Sequence, residues 1–299
     1  MDATKLMFKD GLMAGERILI TGGGTGLGKE MAEAFAALGA EVVICGRRGD
    51  VLAQTAEEIM AKHGGAQHGR VRPIACDIRS PEAIAEMVDA IWAEAPLTGL
   101  VNNAAGNFLA RTEDLSIRAF DAIANIVFRG SFVVTLDIGK RWIAEGRKGN
   151  VLSILTTWVW KGGPFTVPSA MSKAGLNVMT QSLALEWARH NIRFNAIAPG
   201  PFPTEGMSKR LMPGRDQKKF GENPMNRDGE MHELCNLAVL LMGPGCEYIN
   251  GQTLAIDGGA YLAGDGRLAE LSAWGDAEWA EARAAITSVN AKDRAARTV

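Results

Sequence analysis

The sequence predicts an α/β protein: a single doubly wound parallel sheet of about seven strands, helices on both faces, and a C-terminal helical tail. Two patterns and one absence carry this. Short β-branched runs recur along the chain, longer amphipathic stretches lie between them, and no linker rich in Pro or Ser divides the 299 residues. Strands are expected at 17–21 (RILIT), 41–46 (EVVICG), 71–76 (VRPIAC), 98–102 (TGLVN), 150–155 (NVLSIL), 192–198 (IRFNAIA) and 252–256 (QTLAI). Helical patterns fill 27–38, 50–62, 81–94, 116–145, 168–190 and 229–242. The third helix has a clear start, with Ser80 as N-cap and Pro81 at the first helical position.

This rhythm gives one domain over 1–264 and an extension over 265–299. Two segments fall outside it. Residues 200–228 carry Lys209, Arg210, Arg215, Lys218 and Lys219 among Met207, Leu211, Met212 and Met225, without sustained periodicity. Such a segment is read either as a solvated loop or as a substrate lid. The extension is rich in Ala, Glu and Arg, and its Trp274 and Trp279 are expected to pack on the domain or on a neighbouring subunit.

Composition narrows the function. With 32 basic against 34 acidic side chains, nothing marks a binder of nucleic acid or of an anionic membrane. The start, MDATKLMFKD, lacks the apolar core of a secretory signal, and no apolar run of membrane-spanning length is evident, so a cytoplasmic location is expected. Cys45, Cys76, Cys235 and Cys246 form no paired spacing, and His63, His68, His190 and His232 none for a metal, so neither disulfides nor a metal are expected.

The first strand runs into Thr21-Gly22-Gly23-Gly24-Thr25-Gly26-Leu27-Gly28 and then a helical pattern. Glycines there allow a tight turn and let backbone N–H groups approach a pyrophosphate at the helix's positive end, the Rossmann-type arrangement. The competing reading is an empty strand-to-helix turn. At the end of the second strand, where an acidic residue would accept the ribose hydroxyls of NAD, the chain has Cys45-Gly46-Arg47-Arg48. Guanidiniums there suit a 2′-phosphate, so NADP(H) is expected, unless Arg47 and Arg48 merely cap a surface turn. Asp77, after the third strand, suits the adenine end, and Asn103 begins the Asn-Ala-Ala-Gly run after the fourth. Pro199-Gly200-Pro201-Phe202 follows the sixth strand and Asp257-Gly258-Gly259 the seventh.

Taken together, TGGGTGLG, NNAAG, the Ser169-x-x-x-Lys173 helix and the PGP turn resemble the short-chain dehydrogenase/reductase superfamily over roughly residues 12–262. Within it, TGGGTGLGK at 21–29, NNAAGNF at 102–108 and VPSAMSKAG at 167–175 are similar to the 2,4-dienoyl-CoA reductases, especially the mitochondrial type. The resemblance implies NADPH-dependent reduction of a conjugated acyl-CoA thioester, usually by a homotetramer built on the helices at 116–145 and 168–190. It further implies that Arg79, Phe108 and Arg210 contact the CoA ester. The chain departs from the family at its acid. The usual Tyr, four residues before the Lys, is Ser169; the mitochondrial type's Tyr, eleven residues earlier still, is Trp158; and the peroxisomal type's Asp is Asn177. The tyrosines of this chain are Tyr248 and Tyr261.

That substitution divides the chemistries. Reducing a ketone demands an acid, which an indole is not. Reducing a conjugated carbon–carbon bond gives an enolate oxygen that needs hydrogen-bond donors while water protonates carbon. Trp158 and Asn107 are therefore expected as that oxyanion site, with Ser169 relaying a hydrogen bond and Lys173 holding the ribose; the competing reading is a packed Trp158. Ser169, Lys173 and Asn177 recur every fourth residue and are expected on one helix face toward the nicotinamide. Two alternatives stay open: a carbonyl reductase using Ser169 coupled to Lys173, and a catalytically silent NADP-binding protein.

Overall fold

The computed structural model describes residues 2–63, 69–107, 109–204, 223–263, 271 and 274–296, with the side chains of 289–296 left aside. Among these residues one parallel sheet of seven strands is formed: β1 (Arg17–Thr21), β2 (Glu41–Gly46), β3 (Val71–Ala75), β4 (Gly99–Asn102), β5 (Gly149–Ile154), β6 (Ile192–Pro199) and β7 (Thr253–Ile256). The order is β3-β2-β1-β4-β5-β6-β7. The chain steps outward from β1 to β3, then returns to place β4 on the other side of β1. In register, Leu19 faces Val43 on one side and Leu100 on the other. The gap between β1 and β4 is the switch point outside which doubly wound sheets bind ligands.

Helices cover both faces, so the central strands β1, β4 and β5 are buried along their whole length. On one face α1 (Gly26–Ala37) and α8 (Met231–Met242) set Met31, Phe35, Leu234 and Ala238 against Ile18, Ile20, Val42 and Ile44. On the other, α3 (Pro81–Trp92) and α5 (Ser131–Ala144) set Ile84, Ile91, Ile138 and Trp142 against Leu19, Val43, Leu100 and Val151. The alternation Ile18, Leu19, Ile20 between the two cores is the two-residue period of a strand. α2 (Gly49–His63) follows β2. The start of α3 is as read from sequence: the Ser80 hydroxyl accepts from the Ala83 amide at 3.2 Å, with Pro81 in the first turn.

The expected helix at 116–145 is continuous but not uniform. α4 (Ile117–Ala124) passes through one wider π-type turn, Asn125–Gly130, before α5. Gly130 lies so close to the preceding loop that a Cβ there would meet the Ile78 carbonyl oxygen at 2.8 Å. The 28-residue stretch is long and apolar enough to cross a membrane, yet Ile123, Val127, Val134, Ile138 and Trp142 are buried inside the domain.

α7 (Val167–Glu186) stops earlier than the 168–190 pattern, with a 3-10 turn over Ala188–His190. Two short helices were not legible in the sequence, α6 (Trp158–Lys161) and α9 (Ala260–Ala263). The extension forms α10 (Asp276–Ala296); Trp274, just before it, and Trp279 within it meet edge to face at 5.2 Å and stay exposed. Of 200–228, residues 205–222 and with them Arg210 lie outside the described residues, as does Phe108.

Candidate active site

A cleft of about 580 Å³ opens at the carboxyl ends of the strands, across the switch point. Its cofactor end is made by backbone. Gly22 turns the chain at φ 68°, where a Cβ would stand 2.9 Å from the Ala104 Cα. Gly28 brings α1 down on the turn, since a Cβ there would meet both the Gly22 carbonyl oxygen and the Asn103 amide nitrogen at 2.5 Å. The buried Thr21 hydroxyl accepts from the Asn103 and Ala104 amides at 3.1 and 3.0 Å and donates to the Val101 carbonyl. Asn103 Nδ2 donates to the carbonyls of Thr21 and Gly22. Asn103 thus lines the cleft while its side chain ties the β4 loop to the glycine turn.

Gly22, Gly24, Thr25, Gly26 and Leu27 reach the cleft wall as expected. Gly23 does not: it is turned into the sheet, where a Cβ would stand 2.6 Å from Ile44 Cγ2. The Thr25 side chain makes no cap bond to α1, so the first amides of that helix are left for a ligand. A cradle of glycine backbone, uncapped helix amides and cationic side chains fits a dinucleotide pyrophosphate.

Arg47 and Arg48 line the far end, are exposed, and form no ion pair among the described residues. Asp77 lines the wall beside them. The Arg79 guanidinium donates to both Asp77 carboxylate oxygens, Nε at 2.9 Å to each, and holds that carboxyl below the usual range. Arg79 itself is outside the wall, with Arg129 Nη1 on its carbonyl at 3.0 Å.

The opposite end is made by side chains. Asn107, Trp158, Ser169 and Lys173 all line the cleft. Ser169 and Lys173 are buried on α7, and Lys173 Nζ donates to the Ile154 carbonyl at the end of β5. Burial without a carboxylate partner pushes the ammonium down from its ordinary 10.5 to about 8. The half-buried Trp158 leads α6, its indole resting on Gly163, where a Cβ would stand 2.8 Å from the ring. Pro199, Gly200 and Phe202 close this end from β6, whereas Pro201 turns away and accepts the Gly229 amide at 3.0 Å.

Two sequence readings change here. Asn177 does not join Ser169 and Lys173; its side-chain oxygen accepts from Thr253 Oγ1 of β7 at 2.6 Å. Each four-residue step rotates a helix about 40° past one full turn, so two steps carry Asn177 from the cleft to the sheet. Thr156, just beyond β5, lines the cleft between Leu155 and Trp158 and was not singled out from sequence. Its signal was its place, directly after an expected strand at the ligand-binding edge. Neither Tyr248 nor Tyr261 is in the wall.

Residues 22–261 match the family described as Enoyl-(Acyl carrier protein) reductase. An uncharacterized oxidoreductase of Caenorhabditis elegans is 42% identical over 293 residues, covering 95% of this chain and 92% of that one. A probable 2,4-dienoyl-CoA reductase of the same organism, named as producing (3E)-enoyl-CoA, is 42% identical over 260 residues, 85% and 82% of the two chains. A solved short-chain dehydrogenase from Bacillus anthracis superposes with a TM-score of 0.74 at 37% identity, covering 83% of this chain and 98% of that one.

Proposed function

The chain belongs to the short-chain dehydrogenase/reductase family of oxidoreductases, and we propose that it performs NADPH-dependent reduction of a conjugated carbon–carbon double bond in an acyl-CoA thioester. The observation that carries the proposal is the donor set at the reaction end: an indole, an amide and a hydroxyl from Trp158, Asn107 and Ser169, beside a buried ammonium, with no tyrosine. Such a set stabilises an oxyanion but offers no phenolic acid. The relatives named as dienoyl-CoA reductases support the same reading.

NADPH, when bound, supplies a hydride to the conjugated carbon. The double bonds would shift along the conjugated system and leave the negative charge of an enolate on the thioester oxygen, to which Trp158 Nε1 and the Asn107 amide would donate. Water returns a proton to carbon, and Ser169 orders that water. Lys173 anchors the nicotinamide ribose, fixed by its bond to the Ile154 carbonyl. Gly22, Gly24 and the amides of Thr25, Gly26 and Leu27 take the pyrophosphate, and Arg47 with Arg48 takes the 2′-phosphate. Asp77 and Asn103 flank the adenosine, and Pro199, Gly200 and Phe202 back the nicotinamide. Arg79 stands outside the cleft wall, exposed and paired with Asp77, and would reach the CoA phosphates once released from that carboxylate. Phe108 and Arg210 are proposed to complete that contact.

The assembly we infer is a homotetramer. Phe128 and Phe132 on one helix, with Met171, Val178 and Leu185 on α7, expose large apolar side chains where those helices lie side by side.

The test is NADPH oxidation with a 2,4-dienoyl-CoA, run beside a 2-enoyl-CoA, a simple ketone and an NADH control. Turnover confined to an unsaturated thioester with NADPH is expected, and Trp158→Phe, which removes one donor, should lower kcat/KM roughly 100-fold. Ketone turnover, or NADPH binding without turnover, overturns the reading.

A further inference from the structure

Thr55 stands on the second turn of α2, 3% exposed, and its hydroxyl donates to the Gly24 carbonyl at 2.8 Å. A buried hydroxyl on a helix ordinarily turns back on its own backbone. Thr135, Ser172 and Thr180 do so here, donating to the carbonyls of Ser131, Pro168 and Leu176, four residues earlier, at 2.8, 2.7 and 2.9 Å. Thr55 has the same option within α2 and instead crosses to the glycine turn, 31 residues away in sequence. The two segments touch there: a Cβ on Gly24 would stand 3.1 Å from Leu52 Cδ2 and 3.5 Å from Val51 Cγ1. Val51 and Leu52 line the cleft together with Gly24 and Thr25, whereas Thr55 lies behind that wall.

The direction of the Gly24 carbonyl fixes the amide that follows it. The peptide is trans, and in a trans peptide the C=O and the next N–H point opposite ways. With its oxygen drawn back to Thr55, the Gly24–Thr25 peptide turns the Thr25 N–H away from Thr55, and that N–H donates to no described residue. It is one of the amides assigned above to the pyrophosphate. Glycine resists rotation of this peptide little, so its orientation needs a restraint from outside the turn. The restraint matters because a hydrogen bond weakens steeply once the N–H leaves the line to its acceptor. We propose that Thr55 is a positioning residue for the cofactor: its hydroxyl latches the Gly24–Thr25 peptide so that the Thr25 N–H meets the pyrophosphate. The inference rests on the dinucleotide reading of the cleft and is independent of the thioester reaction.

The experiment titrates NADPH, NADH and adenosine 2′-monophosphate, which carries no pyrophosphate, into the unaltered protein and into Thr55→Val, Thr55→Ser and Thr55→Ala. Removing the hydroxyl in the Val variant should weaken NADPH and NADH by a common factor of roughly 10- to 100-fold, the effect of misplacing one charge-assisted N–H bond, and move adenosine 2′-monophosphate by less than about twofold. The Ser and Ala variants both lack the methyl group and differ only in the hydroxyl, so they decide the question even if the Val variant does not fold. Ser is expected to bind both dinucleotides nearly as the unaltered protein does, and Ala to lose the affinity. In turnover the KM for NADPH should rise while kcat at saturating cofactor stays near its original value. A loss shared by adenosine 2′-monophosphate assigns Thr55 to the packing of α2 and overturns the inference. Equal losses in the Ser and Ala variants assign the effect to the methyl group and overturn it as well. Preference for NADH, or NADPH binding without dienoyl turnover, corrects the proposed function, while a hydroxyl-dependent loss for either dinucleotide still upholds the latch. Binding of neither dinucleotide by the unaltered protein overturns both.

Discussion

The cofactor end of the cleft and its reaction end are built from different materials. At the first, Gly22 and Gly28 allow backbone to approach backbone, and Thr21 and Asn103 bind peptide groups, so the shape is fixed by main chain. At the second, the working groups are an indole, a hydroxyl and an ammonium on α6 and α7, and Lys173 keeps its place against a desolvation penalty. A backbone cradle tolerates change among neighbouring side chains and fails when a Cβ is added. A side-chain site can change its chemistry by one substitution.

The sharpest way to break this contrast is Lys173→Met. Loss of the proposed ribose anchor and of a buried positive charge should lower kcat/KM roughly 100- to 1,000-fold. Because the folded ammonium titrates near 8 and the unfolded one near 10.5, the unfolded chain holds the extra proton between those values. Stability from this group therefore rises with pH across that window, and below pH 8 the penalty is about 3 kcal/mol. Activity runs the other way, falling as pH climbs through about 8 and the charge is lost. The Met variant is thus expected to melt above the unaltered protein at pH 7, with the gap closing toward pH 10. A pH-independent gap, measured by calorimetry, would show that Lys173 is not a desolvated charge.

Arg47→Ala with Arg48→Ala probes the other end at intermediate size. Charge-assisted contacts to a 2′-phosphate are worth roughly 10- to 100-fold in affinity, so NADPH binding should weaken by that factor while NADH binding is nearly unmoved. Fluorescence titration with both nucleotides separates the cases. Equal losses for NADPH and NADH would assign the arginines to the fold of the β2 turn instead.

The same contrast governs what the sequence discloses. The seven strands, the start of α3 and the glycine turn were legible because backbone conformation and burial period are written in residue type: Gly22 at positive φ and the Ser80-Pro81 pair need no distant partner to be read. The place of Arg47 and Arg48 at the cleft was legible because their position after β2 is fixed by the chain itself. Where Trp158 points was not, since that depends on α6 and on the approach of Gly163, both tertiary outcomes. Asn177 misled because a four-residue spacing drifts around a helix, and Gly23 because a glycine run does not say which member meets the ligand and which meets Ile44. Of the two covers expected for Trp274 and Trp279, the described residues of their own domain supply none: within the chain the two rings meet each other and stay exposed.

The smallest effect tests whether the two ends are separable at all. Thr21 is buried behind the cofactor end, outside the cleft wall, and its hydroxyl accepts two amides and donates to one carbonyl. Thr21→Val preserves the volume and orphans those amides. Each buried unpaired group costs about 1–3 kcal/mol, so the melting temperature should fall by several degrees. The β4 loop, left to the bonds of the Asn103 side chain alone, should then shift Asn103 against the glycine turn and raise the KM for NADPH roughly tenfold. Apart from Asn107, the reaction end hangs from β5, α6 and α7 rather than from this loop, so kcat should fall by a smaller factor than KM rises. Steady-state kinetics at saturating substrate decide it. If kcat falls as far as KM rises, Asn107, on the same loop as Asn103, transmits the disturbance to the reacting atoms, and the cleft is one machine rather than two.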